Sequence, residues 1–184
     1  MNLLEELKKY KPYNEQEERD KEVMIKFIDT FDDVLTRNNE IAHFTASSWV
    51  LNKEGTKVLM IYHNIYDSWS WTGGHTDGEE DLLNVALREV KEETGIKNIK
   101  PIKEDIFSIE TITVDGHIKN GKYVSSHLHM NVTYLLQASE NEELFVKPDE
   151  NSGVMWVDID KSIDKSNEPW MKGIYIKLNE KLER

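Results

Sequence analysis

The sequence predicts a single domain of the mixed α/β (α+β) class, in which a mixed β-sheet packs against helices. The evidence is a set of β-prone runs interrupted by one run of helical composition and closed by another. Hairpins broken by a central helix are typical of a mixed sheet rather than of an all-helical or all-β protein. The β-prone runs are residues 41–52, 57–64, 106–114, 122–137 and 154–157, and the helical runs are residues 81–94 and 169–182.

A helical arm is predicted ahead of the sheet. Apolar residues recur at spacings of three and four between residues 14 and 37, which is the pattern of one amphipathic helix. We therefore divide the 184 residues into an arm over residues 1–40, packed on the rest, and a main domain over residues 41–184. Residues 67–78, rich in Trp, Ser, Thr and Gly, are predicted to form a loop.

Composition limits the possible partners. A net charge of −12 argues against an extended nucleic acid, whose affinity comes from Lys and Arg, but carboxylates can bind a small phosphate compound through divalent cations. The chain has no cysteine, so disulfides and thiolate metal sites are excluded. No run of residues is apolar and long enough for a membrane span, which predicts a cytoplasmic protein without a membrane partner. A homodimer is compatible with the sequence.

The central helix is predicted to place carboxylates on its buried face. On a wheel with Leu82 at the origin, the apolar residues cover a broad arc, and Glu89 and Glu93 fall inside it at about 340° and 20°. Glu92 lies at the edge of this arc, at about 280°, next to Arg88 at about 240°. The alternative is a solvated acidic face, but buried carboxylates must be paired, protonated or bound to cations.

The carboxylates belong to a longer pattern. Gly74 is followed after five residues by Glu80 and after seven more by Arg88-Glu89-Val90-Lys91-Glu92-Glu93-Thr94-Gly95-Ile96. This run resembles an intact Nudix box, a motif of 23 residues in which every fixed position is filled. The chain is therefore similar to the Nudix hydrolases.

The resemblance implies a fold, a reaction and a set of roles. It implies the Nudix-type α/β/α sandwich around a mixed β-sheet and Mg²⁺-dependent (or Mn²⁺-dependent) hydrolysis of a diphosphate linkage in a nucleoside diphosphate joined to another moiety. It also implies that Glu89, Glu92 and Glu93 are metal ligands, with the carbonyl of Gly73 as a further one, and that Arg88 orients the carboxylates. Glu80 is expected to hold the loop, and Glu79, at a free position, to be exposed and functionally silent.

The general base is a separate question. The helix glutamates are candidates, and in Nudix enzymes the base is sometimes a glutamate from a later loop. Glu150, six residues before Trp156, resembles that position, and the alternative is an ordinary exposed loop residue.

Substrate-binding residues are predicted from an alternating strand. His127, His129 and Asn131 fall on one face of the run at residues 125–136, which is either a substrate-facing wall or a wet outer face. His75, directly after Gly73-Gly74, is a candidate for phosphate or metal contact, or a loop residue without a role.

Two other functions were compared with hydrolysis. The run at residues 71–75 resembles the segment before the active site of the isopentenyl-diphosphate isomerases, but that resemblance requires a catalytic cysteine, and the chain has none. The other is a non-catalytic nucleotide-sensing module with the same fold, which usually lacks box carboxylates that are all present here.

Overall fold

The computed structural model describes residues 2–119 and 121–183, which form five helices and ten strands. In chain order the elements are α1 (Leu3–Lys9), α2 (Glu15–Thr30), β1 (Ala42–Leu51), β2 (Lys57–His63), β3 (Ser68–Ser70), β4 (Thr72–His75), α3 (Leu82–Thr94), β5 (Ile99–Pro101), β6 (Ser108–Val114), β7 (His117–Lys119), β8 (Lys122–Val124), β9 (His127–Ala138), β10 (Asn151–Asp158), α4 (Ile159–Lys165) and α5 (Pro169–Leu182).

The strands form the mixed sheet that the sequence predicts. Its main path runs β10-β2-β1-β9-β5, with β3 paired to β2, β4 to β1 and β6 to β9. The β1–β9 pair is parallel over ten residues, from Ala42↔Leu128 to Leu51↔Gln137, whereas the other pairs are antiparallel. Strands β7 and β8 form a separate two-stranded ribbon.

Strand β1 is buried along its whole length because helices cover both faces of the sheet. Phe44, Ala46 and Val50 belong to one core, which includes residues of α1, α2 and α3. Trp49 and Leu51 point the other way, into a second core with residues of α5. The α/β/α sandwich is therefore confirmed.

Several predicted elements are corrected. β1 and β2 do not form a full hairpin, since they share only the pair Leu51↔Val58 and then diverge. The predicted loop contains β3 and β4, because β4 satisfies its backbone along β1. The arm helix ends at Thr30, after which the carbonyl of Val34 accepts a hydrogen bond from the N–H of Phe44. The central helix and the closing helix are confirmed.

A buried ion cluster joins the arm to the closing helix. Glu17 of α2 and Lys177 of α5 are exposed by only 0% and 5%. An oxygen of Glu17 lies 3.1 Å from Nζ of Lys177 and 2.8 Å from Nζ of Lys181, and Lys177 Nζ also lies 2.9 Å from Glu110. Ser108 Oγ donates to Glu17 at 2.8 Å. Buried charges are tolerated here because each one is paired and hydrogen-bonded.

Helix α2 also covers the open edge of β6. The amide of Gln16 donates to the carbonyl of Ile109 at 3.1 Å, and Asp20 accepts from the N–H of Thr111 at 2.9 Å. An uncovered edge strand would present these backbone groups to other chains. Among the described residues, no helix is long and apolar enough to cross a membrane.

We expect Glu17→Ala to lower the free energy of unfolding by about 3–5 kcal/mol at pH 7, because it leaves Lys181 without its carboxylate and Lys177 with Glu110 alone. Urea unfolding measures the loss. Glu18→Ala, at an exposed position of the same helix, is the matched control and should stay within about 0.5 kcal/mol of the wild type. A Glu17→Ala loss no larger than that of the control would contradict a stabilising role for the cluster.

The contribution of Glu17 to the free energy of unfolding should depend on pH. Desolvation raises the pKa of Glu17, but Lys177 and hydrogen bonds from Lys181 and Tyr10 outweigh it and lower the pKa from 4.5 to about 2. Ionised Glu17 therefore stabilises the fold fully above its unfolded-state pKa, and this stabilisation is lost as the pH falls towards 2. The stability gap between wild type and Glu17→Gln should be constant above about pH 5 and narrow below it.

Candidate active site

Helix α3 presents its carboxylates from well-defined ends. It begins after Asp81, whose Oδ1 accepts from the N–H of Asn84 at 3.0 Å, and it ends at Gly95, whose φ of 77° is left-handed. Glu93 is only 2% exposed, which confirms that it lies on the apolar face. The other buried residues of this face are Leu82, Val85, Ala86, Val90 and Thr94.

Two glycines of β4 bring the backbone directly against these carboxylates. The N–H of Gly73 donates to Oε2 of Glu93 at 2.9 Å. A Cβ on Gly74 would lie 2.6 Å from Oε2 of Glu89, and a Cβ on Gly73 would lie 2.7 Å from the carbonyl oxygen of Ala46. A side chain at Gly74 would therefore push the carboxylate of Glu89 aside, and a side chain at Gly73 would separate β4 from β1.

Burial makes the charged forms of both carboxylates costly. Desolvation raises the pKa of Glu93 well above its usual range; the hydrogen bond from Gly73 opposes this, and nearby Glu89 and Glu150 add to it. Desolvation also raises the pKa of Glu89, against the ion pair with Arg88. A cation beside the two groups would remove this cost, because it favours the ionised forms.

Glu92 and Glu150 border the same cleft as Glu89 and Glu93 but are more exposed to solvent. Lys147 bridges them, with its Nζ 3.3 Å from Glu92 and 3.0 Å from Glu150. Asn151, which follows Glu150, connects the start of β10 to α3, because its side-chain amide donates to the carbonyl of Glu93 at 2.9 Å. The structure thus brings Glu150, predicted from sequence, into one cluster with the helix glutamates.

Arg88 contacts a partner that the sequence did not predict. Its guanidinium donates to Glu89 at 3.2 Å and pairs with Glu79, while Glu92 is more distant at 3.9 Å. Glu79 is therefore half-buried and engaged, contrary to the expectation that it is exposed and silent. Glu80, expected to hold the loop, is exposed.

The predicted substrate wall is only partly available to a ligand. His75 and His129 line the cleft, and His127 lies behind His129, with the two Nε2 atoms 3.2 Å apart. Asn131 also borders the cleft, but its amide is saturated within the protein, so its role as a substrate contact stays a prediction that this hydrogen bonding does not favour. Its oxygen accepts from Thr45 and Ser47 at 3.0 and 2.7 Å, and its nitrogen donates to Glu110 and Thr133, each at 3.0 Å.

These groups border one cleft of about 700 Å³. Its described walls contain eight carboxylates and three basic side chains. The basic residues are Arg37, Arg88 and Lys147, and the carboxylates are Asp77, Glu79, Glu89, Glu92, Glu93, Asp149, Glu150 and Glu168. Each basic group is already ion-paired with one of these carboxylates. Such an oxygen-rich, acidic cleft fits a hard divalent cation such as Mg²⁺.

Three residues of this region were missed by the sequence analysis. His43 comes close to His75 and His129 only through the long-range pairing of β1 with β4 and β9, for which the sequence carries no local signal. Lys147 and Glu79 looked like ordinary surface charges. Glu79 lies in the short loop before α3, and this position could have indicated a contact with that helix. The contact with Arg88 nevertheless spans nine residues and depends on how the loop folds.

The comparisons with known proteins agree with this geometry. The NUDIX domain model matches residues 42–178. An RNA pyrophosphohydrolase of Pelagibacter ubique (strain HTCC1062) is 32% identical over 120 residues, which cover 62% of this chain and 75% of that protein. A C. elegans Ap4A hydrolase complex superposes with a TM-score of 0.55 at 21% identity, covering 76% of this chain and 97% of that one. A NUDIX-family hydrolase from Clostridium perfringens gives 0.55 at 22% identity, covering 77% and 96%.

The chain has a mixed sheet between helices, and its carboxylate-bearing helix α3 packs on β4, the strand that contains Gly73 and Gly74. Together with the family match, this architecture shows that the chain belongs to the Nudix family. It is a Nudix hydrolase that acts on pyrophosphate bonds. Members of this family generally use divalent metal ions. The isomerase and the non-catalytic module are accordingly not supported.

We expect Glu79→Gln to lower turnover by about 10–100-fold, because Glu79 fixes the arginine that positions Glu89. Steady-state kinetics on one confirmed substrate measures the effect. Glu80→Gln, one residue further on and exposed, should cost clearly less. The reverse order would show that Glu80, as the family resemblance implies, holds the loop.

Proposed function

We propose that this chain hydrolyses the diphosphate linkage of a small nucleotide with Mg²⁺ or Mn²⁺ held by Glu89, Glu92, Glu93 and the carbonyl of Gly73. The observation that carries the proposal is the burial of Glu89 and Glu93 side by side against β4, where desolvation raises the pKa of both. When bound, the cation would neutralise phosphate charge and lower the pKa of a water ligand.

The protein's own groups then have separate tasks. Glu150, on the open side of the cleft, takes a proton from the attacking water as the water oxygen bonds to phosphorus and the phosphoanhydride P–O bond breaks. Lys147 supports this role by holding the carboxylate of Glu150 at 3.0 Å. Arg88 keeps Glu89 in place through the contact at 3.2 Å. A base so positioned is worth about 10²–10⁴-fold in rate.

The charge of the cleft favours a small substrate over a long RNA. Eight wall carboxylates and three already paired basic groups provide no track for a polyanionic backbone. At the rim, Tyr66 is exposed and stacks on His63 with ring centroids 4.4 Å apart, a surface on which a nucleobase can stack. His75 and His129 line the phosphate end of this cleft and stay proposed substrate contacts, whereas His127 supports His129 from behind.

Three further statements stay predictions. These are the division into an arm (residues 1–40) and a domain (residues 41–184), the cytoplasmic location, and self-association into a homodimer. Agreement between the family match, which starts at residue 42, and the proposed domain boundary supports the first of them.

We expect Glu93→Gln to lower turnover at least about a hundredfold while leaving the fold intact, because a neutral amide replaces neither an anionic metal ligand nor a base. The same variant should lose most of the rise in melting temperature that Mg²⁺ gives the wild type. Glu143→Gln, the identical change at an exposed loop position, is the control for both measurements and should behave like the wild type. Wild-type turnover in Glu93→Gln would refute the proposed metal site.

Chromatographic separation of the nucleotide products formed from a panel of substrates tests the substrate class. We expect dinucleoside polyphosphates, nucleoside triphosphates or nucleotide sugars to be hydrolysed with a higher kcat/KM than a 5′-triphosphorylated RNA of about twenty nucleotides, because the acidic cleft repels its backbone. A preference for the RNA, the substrate class named for the Pelagibacter relative, would overturn the small-molecule proposal and leave the hydrolytic mechanism in place.

A further inference from the structure

Four of the six histidines of the chain converge at one end of the sheet. His43 of β1 is the register partner of His129 on β9, and Thr45, two residues after His43, is the partner of His75 on β4. Side chains two residues apart share a face of a strand, so these pairings place the histidines together. The ring centroid of His43 lies 5.1 Å from His75, 5.1 Å from His129 and 5.0 Å from His127.

Hydrogen bonds determine which nitrogens carry protons. Nδ1 of His43 lies 3.1 Å from the carbonyl oxygen of Asn39, and Nδ1 of His127 lies 2.8 Å from that of Ser125. A carbonyl only accepts, so both Nδ1 atoms are protonated and donate, and in the neutral rings Nε2 bears a lone pair. The Nε2–H of His129 then donates to Nε2 of His127. Metal-binding histidines are oriented by this kind of N–H to carbonyl bond.

His43 presents a buried lone pair with nothing to satisfy it. The residue is 4% exposed, and its Nε2 has no hydrogen-bond partner among the described residues. Most buried polar groups in folded proteins are hydrogen-bonded, and an unsatisfied buried acceptor is destabilising, so this nitrogen calls for an explanation.

The electrostatics favour a cation over an anion. Desolvation, reinforced by the surrounding imidazoles, lowers the pKa of His129 to about 2, and desolvation lowers that of His43. Both rings are therefore neutral at pH 7. The lone pair of His43 repels a phosphate oxygen, whereas it can bind a metal ion directly.

We propose that His43, His75 and His129 form a site for a divalent transition-metal cation of the zinc class, separate from the glutamate site. One ring nitrogen from each residue lies within 4.8 Å of the others. Tetrahedral Zn²⁺ with bonds of about 2.0–2.1 Å needs ligand atoms about 3.4 Å apart, so small ring movements complete the site. Imidazole suits Zn²⁺, Cu²⁺ or Ni²⁺, whereas Mg²⁺ prefers the carboxylates of α3.

The position of the histidine site indicates what would bind to its metal ion from the cleft. His75 and His129 line the same cleft as Glu89 and Glu93, and three protein ligands leave a fourth coordination position of the metal open. This last step rests on the proposed function: the open position takes a terminal phosphate oxygen of the substrate. The cation, rather than the bare imidazoles, then makes the substrate contact that was predicted for His75 and His129.

Metal titration without any substrate tests the site independently of hydrolysis. After treatment with a chelator, the wild type should bind one Zn²⁺ by calorimetry, and Co²⁺ should produce the visible absorption bands of a tetrahedral complex. His43→Ala and His75→Ala should each weaken Zn²⁺ binding at least about a hundredfold, and His127→Ala, which removes only the support of His129, about 10–100-fold. His75 is less buried than His43, so His75→Ala decides the matter if His43→Ala does not fold.

Glu93→Gln and His63→Ala are the controls and should retain Zn²⁺ affinity within about threefold, as expected for residues outside the ligand set. Loss of Zn²⁺ binding in Glu93→Gln but not in the histidine variants would assign the ion to the glutamates and overturn the proposal. Failure of the wild type to bind Zn²⁺, or tight binding of inorganic phosphate by the metal-free chain, would overturn it as well.

Discussion

The close packing of β4 on the acidic face of α3 is the contact on which the active site depends. A Cβ at Gly73 would meet the backbone of β1 and a Cβ at Gly74 would meet the carboxylate of Glu89, and the packing buries Glu93 and partly desolvates Glu89. Two desolvated carboxylates are unstable as neighbouring anions, so they must be protonated or compensated by positive charge, which the protein alone supplies only in part. Arg88 reaches Glu89, whereas Glu93 has the N–H of Gly73 as its donor. The divalent cation that we propose for this site would complete the balance and would connect the packing of the fold to its chemistry.

Strand β1 links this contact to the rest of the molecule. It pairs with β4 on one side and with β9 on the other, and helices bury both of its faces. The glycines beside α3 and the histidines at the end of the sheet are therefore held by the same strand. One cleft consequently has two chemically different walls, one of carboxylates, where we propose a hard cation, and one with imidazoles, where we propose a softer one.

The polar face of β9 shows how a correct pattern leads to two different roles. Alternation correctly placed His127, His129 and Asn131 on one side of the strand, but this side is neither a wet outer face nor a uniform substrate wall. Asn131 is buried in a saturated hydrogen-bond network with Glu110, while His129 faces the cleft. The alternation of side chains along a strand determines which face of the sheet a residue occupies. Only the neighbouring strands determine which part of that face is accessible from the cleft.

The sequence by itself determined the central helix and the burial of Glu93, because these depend on local composition and on helical periodicity. The family resemblance added Glu150. Only the tertiary structure decided that β4 pairs with β1, that Glu79 holds Arg88 and that His43 joins His75 and His129. The contact between Glu79 and Arg88 depends on how the loop before α3 folds, whereas the strand and histidine contacts depend on register between segments as many as 86 residues apart, as in the bond from Thr45 to Asn131. Register is set by packing of the whole sheet and leaves no local mark in the sequence.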